Sequence, residues 1–595
     1  MISKYSIAVL PFVNMSSDKE NEYFSDGITE EILNALSKIK GLHVTARTSS
    51  FAFKNQNIDV REIGSKLNVA LLLEGSIRKS DDIVRITAQL TNASNGYHVW
   101  SETWDRELKN IFIVQDEIAG IIAEKINKDI KVEKHPSQHV IENTDAYDWY
   151  LKGIYLQNKW DLNEGFNIID YYEKALNIDP ELIKAHVGLC DMYTWLGATG
   201  YVKPKDSYIK IGYHIKKILE HDKDNPEVYA IIGQRNFWID WDLGACLKNL
   251  NKALELQPSN ADAMKSKGLC LAALGRVEEA LDSFFQASRL DPFSYHINSG
   301  IGMIYNYINE NEKAIEYIDK NIQIYPSWYP QYMDKVDSLC KLERYDEAMK
   351  IIRMIENDPN SSISANHLSS LYYAYKGRKE EALKFIDLLK KESEEIGSEI
   401  DVNAFFIGQI YIILGKDEEA LNCLENGIKN NATPFLFIKI LNYWDHLRDH
   451  PRYLEAIKRI KYGEDDQTIE SNNKKYKKAN LPKEKAKEIK TRLNKLMKTD
   501  KPYLNPTLNL SDLSEMVDMT TNQLSQILNE FIGKNFYDYV NSFRLEYFLE
   551  LYKNPKYKKF TLLSVAYECG FNSKTTFNSF FKKTLGKTPS TYFKK

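Results

Sequence analysis

The spacing of apolar residues divides the chain into stretches of different character. Up to about residue 132, strand-length apolar runs alternate with stretches of helical period. Strands are predicted over 5-YSIAVLPFV-13, 42-LHVTA-46, 69-VALLLEGSIRK-79, 83-IVRITAQLTN-92 and 97-YHVWSETWD-105. Helices are predicted over 23–39, 59–68 and 110–126. In the first helix Ile28, Ile32, Leu33, Leu36 and Ile39 share one face. Asp26 or Thr29 is placed to cap it. The pattern is that of a small α/β domain over 1–132.

From about 140 to 460 the period is helical throughout, and it repeats. Ala280, Ala314, Ala348 and Ala382 stand 34 residues apart in similar strings, 275-GRVEEAL-281, 310-ENEKAI-315, 344-RYDEAM-349 and 377-GRKEEAL-383. A further copy is 415-GKDEEAL-421. Pro258, Pro292 and Pro326 recur at the same interval, with Pro359 one residue short of it. Ala175, Ala253 and Ala287 lie five residues before Pro180, Pro258 and Pro292, and Cys246 takes an alanine position. Small residues suit helices that approach closely, and proline stops a helix from continuing. This pattern resembles the tetratricopeptide repeat. It predicts about eight helix pairs stacked into a superhelix whose groove takes a protein or peptide partner. The plainer reading is a rigid spacer.

The last hundred residues carry two units of one kind. The stretch 562-LLSVAYECGFNSKTTFNSFFKKTLG-586 reads as a short apolar helix, a turn at Gly570, and a second helix from near Ser573 carrying Phe577, Phe580 and Phe581. That is the form of a helix-turn-helix. The stretch 510-LSDLSEMVDMTTNQLSQILNEFIGKNFYDYV-540 is similar. There Ser511 is placed to cap a helix bearing Leu513, Met516 and Val517, and Leu524, Ile527 and Leu528 line the inside of the next. Between the units, 536-FYDYVNSFRLEYFLELYK-553 predicts one continuous helix. Before them, 464–500 opens acidic and turns strongly basic, with Ile489, Leu493, Leu496 and Met497 at helical spacing.

Residues 490–593 resemble the double helix-turn-helix domain of the AraC/XylS family. The resemblance rests on Leu513, Leu524, Gly533, Tyr539, Arg544, Leu545, Val565, Ala566, Gly570, Phe571, Phe577, Phe581, Lys582, Lys583, Gly586, Thr588 and Pro589. It implies double-stranded DNA as partner. Base-facing positions are then Asn522, Gln523, Ser525 and Gln526 in the first recognition helix, and Ser573, Lys574, Thr575, Asn578 and Ser579 in the second. Amides suit adenine, lysine suits guanine, and a threonine methyl packs on thymine. Lys582, Lys583, Lys587 and the basic run before residue 500 are assigned to phosphates. The family often has Arg where this chain has Gln526 and Ser579. For each residue taken singly, the competing reading is a solvated polar face.

The strings 8-AVLPF-12, 23-YFSDGITEEI-32, 46-ARTSSFAFK-54, 85-RITAQL-90 and 100-WSETWDR-106 resemble the TolB-like N-terminal domain. Such domains often precede tetratricopeptide repeats and a DNA-binding or nucleotide-cyclase output. A cyclase output would need a further catalytic domain, for which these 595 residues leave no room. The expected architecture is therefore multidomain. A TolB-like α/β domain spans 1–132 and an all-α tetratricopeptide superhelix spans 140–460. A charged, mostly basic segment spans 464–500, and an all-α AraC-type double helix-turn-helix spans 501–595 or starts near 485.

Charge supports this division. From Lys474 to Lys595 there are 24 lysines and arginines against 11 aspartates and glutamates, or +13, which leaves −17 for the remainder. An acidic body with a basic end fits an end that meets a polyanion. The six cysteines are scattered, which fits free thiols in the cytoplasm. No apolar run reaches membrane-spanning length. No GxxxxGK[ST], HExxH or GxSxG is present, so no enzyme and no cofactor are expected. His446 and His450, beside Asp445 and Asp449, lack further ligands, and His135 and His139 flank Pro136 in a linker, so no metal is expected. Asp26, Glu30 and Glu31 read as acids favoured by a helix N-terminus, not as acid/base catalysts. The function expected is a one-component, sequence-specific transcription regulator whose repeats and α/β domain receive a partner or signal; a homodimer is open to it. The alternative is a repeat scaffold with only weak, non-specific DNA affinity.

Overall fold

The computed structural model describes residues 5–593 apart from 19–20, 40, 81–82, 127–142, 160–164, 360, 362, 397–402, 464–482, 507, 509, 518, 520–523, 525–526, 533, 535, 555, 572–573 and 586. The chain forms two compact units, Met1–Asp466 and Gln467–Lys595.

The first unit opens with a six-stranded sheet of β1 (Ser6–Val9), β2 (Val13–Asn14), β3 (His43–Val44), β4 (Leu71–Ser80), β5 (Ile83–Asn92) and β6 (His98–Glu107), in the order β3-β1-β4-β5-β6 with β2 beside β4. β1 pairs in parallel with β3 and β4, whereas β4, β5 and β6 form an antiparallel meander with Leu73 opposite Leu90 and Ile86 opposite Trp104. The run predicted as one strand over 5–13 divides at Pro11, which has no N–H to give the ladder. Past it, the Phe12 N–H goes to the Thr29 hydroxyl, 3.0 Å away. The helices are α1 (Glu22–Ser37), α2 (Arg47–Phe51), α3 (Val60–Leu67) and α4 (Ile111–Ile126).

α1 begins a turn earlier than its capping pattern suggests, with Asn21 at the N-cap position. Neither Asp26 nor Thr29 is a cap. Both lie inside the helix and are buried, Thr29 bonding back to the Ser25 carbonyl at 2.7 Å and Asp26 pairing with Lys54 at 2.6 Å. Glu30 and Glu31 are likewise mid-helix, so the helix dipole does not account for them. Glu30 pairs with Arg47 at 3.1 Å, and Glu31 pairs with Lys184 and accepts from the Tyr150 hydroxyl at 3.0 Å.

The rest of the unit is helical hairpins. Eight pairs occur among the described residues, from Thr144–Lys159 with Gly165–Ile178 to Asn403–Ile413 with Asp417–Lys429. The alanines that mark the period, Ala280, Ala314, Ala348, Ala382 and Ala420, are all fully buried. At some interfaces glycines make room for a large ring. A Cβ on Gly268 or on Gly300 would lie 2.5 Å from the Phe284 ring, which is held between them. Tyr172 is held in the same way between Gly153 and Gly188.

The α/β domain is docked on these repeats from two sides. At the first repeats it shares one apolar core, in which Ile28, Ile32, Ile118 and Ile122 join Tyr147, Leu151, Tyr172 and Leu189. At the middle repeats the contacts are largely polar. Gln257 donates to Ser37 Oγ at 2.6 Å, Ser259 donates to the Leu42 carbonyl at 3.0 Å, and the Ala46 N–H donates to the Leu290 carbonyl at 2.8 Å. Ser49 donates to Asp291 and accepts from the Phe293 N–H at 2.8 Å.

Candidate nucleic-acid interface

The second unit is two small cores on one helix. Lys483–Thr499 places Leu493 and Met497 in the first core, with Leu510, Leu513, Val517, Leu524, Ile527, Leu528, Phe536, Tyr539 and Val540. Leu545, Phe548, Val565, Ala566, Cys569, Phe571, Phe577 and Phe581 make the second. The helix Phe536–Lys553 contributes its N-terminal half to one core and its C-terminal half to the other. Its 18 residues span roughly 27 Å at 1.5 Å per residue.

The second core is a cluster of rings. Phe577 lies 4.7 Å from Phe548, 5.2 Å from Phe571 and 5.6 Å from Phe581, centroid to centroid. Its helix-turn-helix runs from Leu562–Glu568, capped by Thr561 through the Ser564 N–H, to Lys574–Leu585. Gly570 makes the turn at φ +90°, in the left-handed region that glycine tolerates. A side chain there would also strike the Tyr503 carbonyl, 2.2 Å from an ideal Cβ. That carbonyl is held from the other side by Arg544. The guanidinium is 5% exposed and donates to Tyr503 O and Asn505 O, both at 2.8 Å, and to Asn541 Oδ1 at 3.1 Å. Burial lowers its pKa to about 10, so it stays charged at neutral pH.

In the first helix-turn-helix, Ser511 falls inside the helix Leu510–Met516 and not ahead of it, because Leu510 already turns into the core. The inward residues Ile527 and Leu528 lie in a π-helix, Ile527–Ile532, where an α-helix was expected. The Lys534 N–H closes on the Leu528 carbonyl at 3.0 Å.

Of the residues assigned to bases, Asn522, Gln523, Ser525, Gln526 and Ser573 lie outside the described residues. Lys574, Thr575, Asn578 and Ser579 lie on the helix Lys574–Leu585, with Asn578 half-buried. Lys582 and Lys583 lie on the same helix, and Lys587 is exposed just beyond it. A further basic patch was not read from the sequence. Lys553, Lys556, Lys558 and Lys559 are all exposed on the turn entering the second helix-turn-helix. The run 553-KNPKYKK-559 was its signal.

Among the described residues no group of three or more His, Cys, Asp and Glu has the arrangement of a metal site. His446 bonds Asp417 at 3.0 Å, and His450 caps Pro451–Ile457 by accepting from the Arg452 N–H. His135 and His139 lie outside the described residues. No described helix is long and apolar enough to cross a membrane.

Three family models match. Residues 513–595 match "Helix-turn-helix domain", residues 404–434 match "Tetratricopeptide repeat", and residues 3–121 match "HilA/YgeH-like transcriptional regulator, second domain". Over the N-terminal domain the match is thus to a HilA/YgeH-like domain, and the TolB-like resemblance is not confirmed by it. The chain is 38% identical over 206 residues to "Putative adenylate cyclase 3" of Rhizobium meliloti, covering 33% of this chain and 35% of that protein. It is 23% identical over 295 residues to "Transcriptional regulator HilA" of Salmonella typhimurium, covering 48% and 51%. The chain thus spans about a third to a half of the length of these relatives. Among solved structures, a thermophilic tetratricopeptide protein of Thermus thermophilus is 18% identical, with 33% of this chain and 98% of that one covered at a TM-score of 0.29. The chain thus carries an AraC-type helix-turn-helix domain over residues 513–595, tetratricopeptide repeats before it and a HilA/YgeH-like domain over residues 3–121.

Proposed function

We propose that the protein is a one-component, sequence-specific DNA-binding transcription regulator acting in the cytoplasm. In this reading the repeats and the HilA/YgeH-like domain receive a signal or protein partner. The observation that carries it is the pair of helix-turn-helix cores strung on one helix. A spacer of roughly 27 Å approaches the roughly 34 Å between successive major-groove faces. Asn522, Gln523, Ser525, Gln526, Ser573, Lys574, Thr575, Asn578 and Ser579 would read bases, while Lys582, Lys583, Lys587 and the exposed Lys553–Lys559 turn would hold phosphates. The regulator name of one relative supports the same reading, whereas the cyclase name of another belongs to a protein of which this chain covers 35%.

Selection of sites from random duplex DNA by the full-length protein, at near-physiological salt, tests this. Enrichment of a motif with two patches about one helical turn apart is expected. Binding that is salt-sensitive but without sequence enrichment would instead favour a repeat scaffold with non-specific DNA affinity.

A further inference from the structure

The two-sided docking of the α/β domain frames a groove-like cavity of about 3370 Å³ along the inner face of the repeats. Small-molecule pockets measure roughly 300–1,000 Å³, so this space suits a chain segment rather than a metabolite. Its lining is strongly unbalanced in charge, with fifteen aspartates and glutamates against five lysines and arginines. Four of these carboxylates come from first helices of hairpins, three hairpins in succession and the next but one. Asp191 stands on Ile183–Thr199, Glu227 on Pro226–Trp238, Asp262 on Ala261–Ala273 and Asp334 on Pro330–Lys341. Stacking of the repeats therefore sets negative charges in a row. Asp262 has Lys265 at 2.7 Å, whereas Asp191, Glu227 and Asp334 form no ion pair among the described residues. Burial raises Asp191 and Asp334 to about 7, so both would gain from a cation placed beside them.

Aromatic rings share the lining: Trp195, Trp238, Trp328 and Tyr295. Tyr295 and Trp328 are 4.7 Å apart, centroid to centroid. Such faces attract ammonium and guanidinium groups and the stems that carry them. A separate observation concerns hydrogen bonding. Gln115 on α4, 4% exposed, lines the cavity with an Nε2 that lies beside the buried Tyr147 hydroxyl but completes no well-formed hydrogen bond among the described residues. A buried N–H donor calls for an acceptor, and a cationic side chain offers none, whereas a peptide carbonyl does.

We propose that this cavity is a binding site for an extended lysine- or arginine-rich segment of a partner protein, gripped jointly by the α/β domain and the repeats. It deepens the reading of this unit as the receiver of a regulator's signal, and rests on it. The carboxylate row would take the basic side chains, the rings their stems, and Gln115 a backbone carbonyl.

The test uses full-length protein and fluorescein-labelled octalysine, with octaglutamate and spermine as comparators, by anisotropy at low and moderate salt. Octalysine is expected to bind, and octaglutamate is not. The double variant Asp191→Asn/Asp334→Asn should weaken octalysine about tenfold while leaving the thermal midpoint equal or higher, since it removes two desolvated charges. The control Glu312→Gln/Glu316→Gln, on the helix Asn311–Ile324, should change binding less than twofold. Equal loss in the two double variants, or octaglutamate binding as well as octalysine, would overturn the site. Spermine binding more tightly than octalysine would overturn the peptide assignment. Site selection on DNA is independent of the cavity. Selectivity for DNA without octalysine binding removes this proposal alone, and octalysine binding without DNA selectivity removes the regulator reading alone.

Discussion

Arg544→Met tests whether the second unit is held together as described. The wild-type guanidinium makes three hydrogen bonds in a buried site, two of them to the carbonyls of Tyr503 and Asn505. Bonds from a charged donor contribute about 1.5–3 kcal/mol each, or roughly 4.5–9 kcal/mol gross for three. Burial of the charge opposes this. The fall in pKa from 12.5 to about 10 corresponds to about 3 kcal/mol at about 1.4 kcal/mol per unit. The net is about 1–6 kcal/mol, against the roughly 5–15 kcal/mol that holds a domain folded. Methionine keeps much of the side-chain volume but no donor. The Tyr503 carbonyl then loses its guanidinium, and the wall against which Gly570 turns is loosened. For a small domain the midpoint should fall by about 10–20 °C at a loss of about 3 kcal/mol. Hydrogen exchange along Phe536–Lys553 in the full-length protein isolates this unit from the larger one. Arg544→Lys should fall between, since an ammonium keeps the charge but not the fork. A loss below about 1 kcal/mol in Arg544→Met would refute the argument, because the guanidinium would then be replaceable by a hydrocarbon.

Other expectations separate roles within the protein. Lys574→Ala should erode discrimination between DNA sites, whereas Lys583→Ala should weaken all sites alike; equal behaviour in a competition assay would defeat the base/phosphate assignment. Lys558→Ala/Lys559→Ala should reduce the slope of log K against log salt by up to roughly 2 without changing the selected motif, and an unchanged slope would take that turn off the DNA. The stability of the first unit should stay nearly level from pH 8 to about 6.5: Asp191 and Asp334, held near 7, bind protons more tightly folded than unfolded, whereas Lys184, near 8, and His214, His296 and His367 bind them more weakly. Asp191→Asn/Asp334→Asn should turn this level stretch into a fall on acidification, because His214 and His296 near 3 and His367 near 4 stay neutral while their unfolded forms take up protons; thermal midpoints of both proteins at pH 5, 6.5 and 8 check it.

What the sequence disclosed depended on how local each signal was. The strand pattern of 83–92 matches β5 residue for residue, because alternation between a wet and a dry face is written into consecutive positions. The repeat register was legible because Ala280, Ala314 and Ala348 occupy points where helix backbones approach, and nothing larger fits. The two helix-turn-helix cores were legible for the same reason. The start of α1 was misread because Asp26 looks like a cap, while its carboxylate is committed to Lys54, 28 residues away. The π-helix at Ile527–Ile532 leaves no apolar pattern distinct from an α-helix, since Leu524, Ile527 and Leu528 are inward in either. The cavity was illegible for a stronger reason. Asp191, Glu227, Asp262 and Asp334 are ordinary surface acids by local pattern, and only superhelical stacking aligns them.

The manner of closure bears on how such a cavity admits a chain. At the first repeats the α/β domain is continuous with the repeat core through Ile28, Ile118, Tyr147 and Leu189, so separation there would expose a broad apolar surface. At the middle repeats the join consists mainly of Gln257 with Ser37, Ser259 with Leu42, Ala46 with Leu290, and Ser49 with Asp291, backed by the tilted ring pair Phe53–Phe293. Hydrogen bonds exchanged for bonds to water contribute about 0.5–1.5 kcal/mol each, so four of them hold a few kcal/mol, within reach of local opening. The same carboxyl that receives Ser49, Asp291, lines the cavity and is raised by burial to about 6. A cation arriving there would compete for that carboxylate, and its charge would act on the weaker of the two joins. A ligand shifts an equilibrium only by its difference in affinity between states. The polar join is where a basic segment has such a difference to offer, because Asp291 belongs both to the join and to the lining.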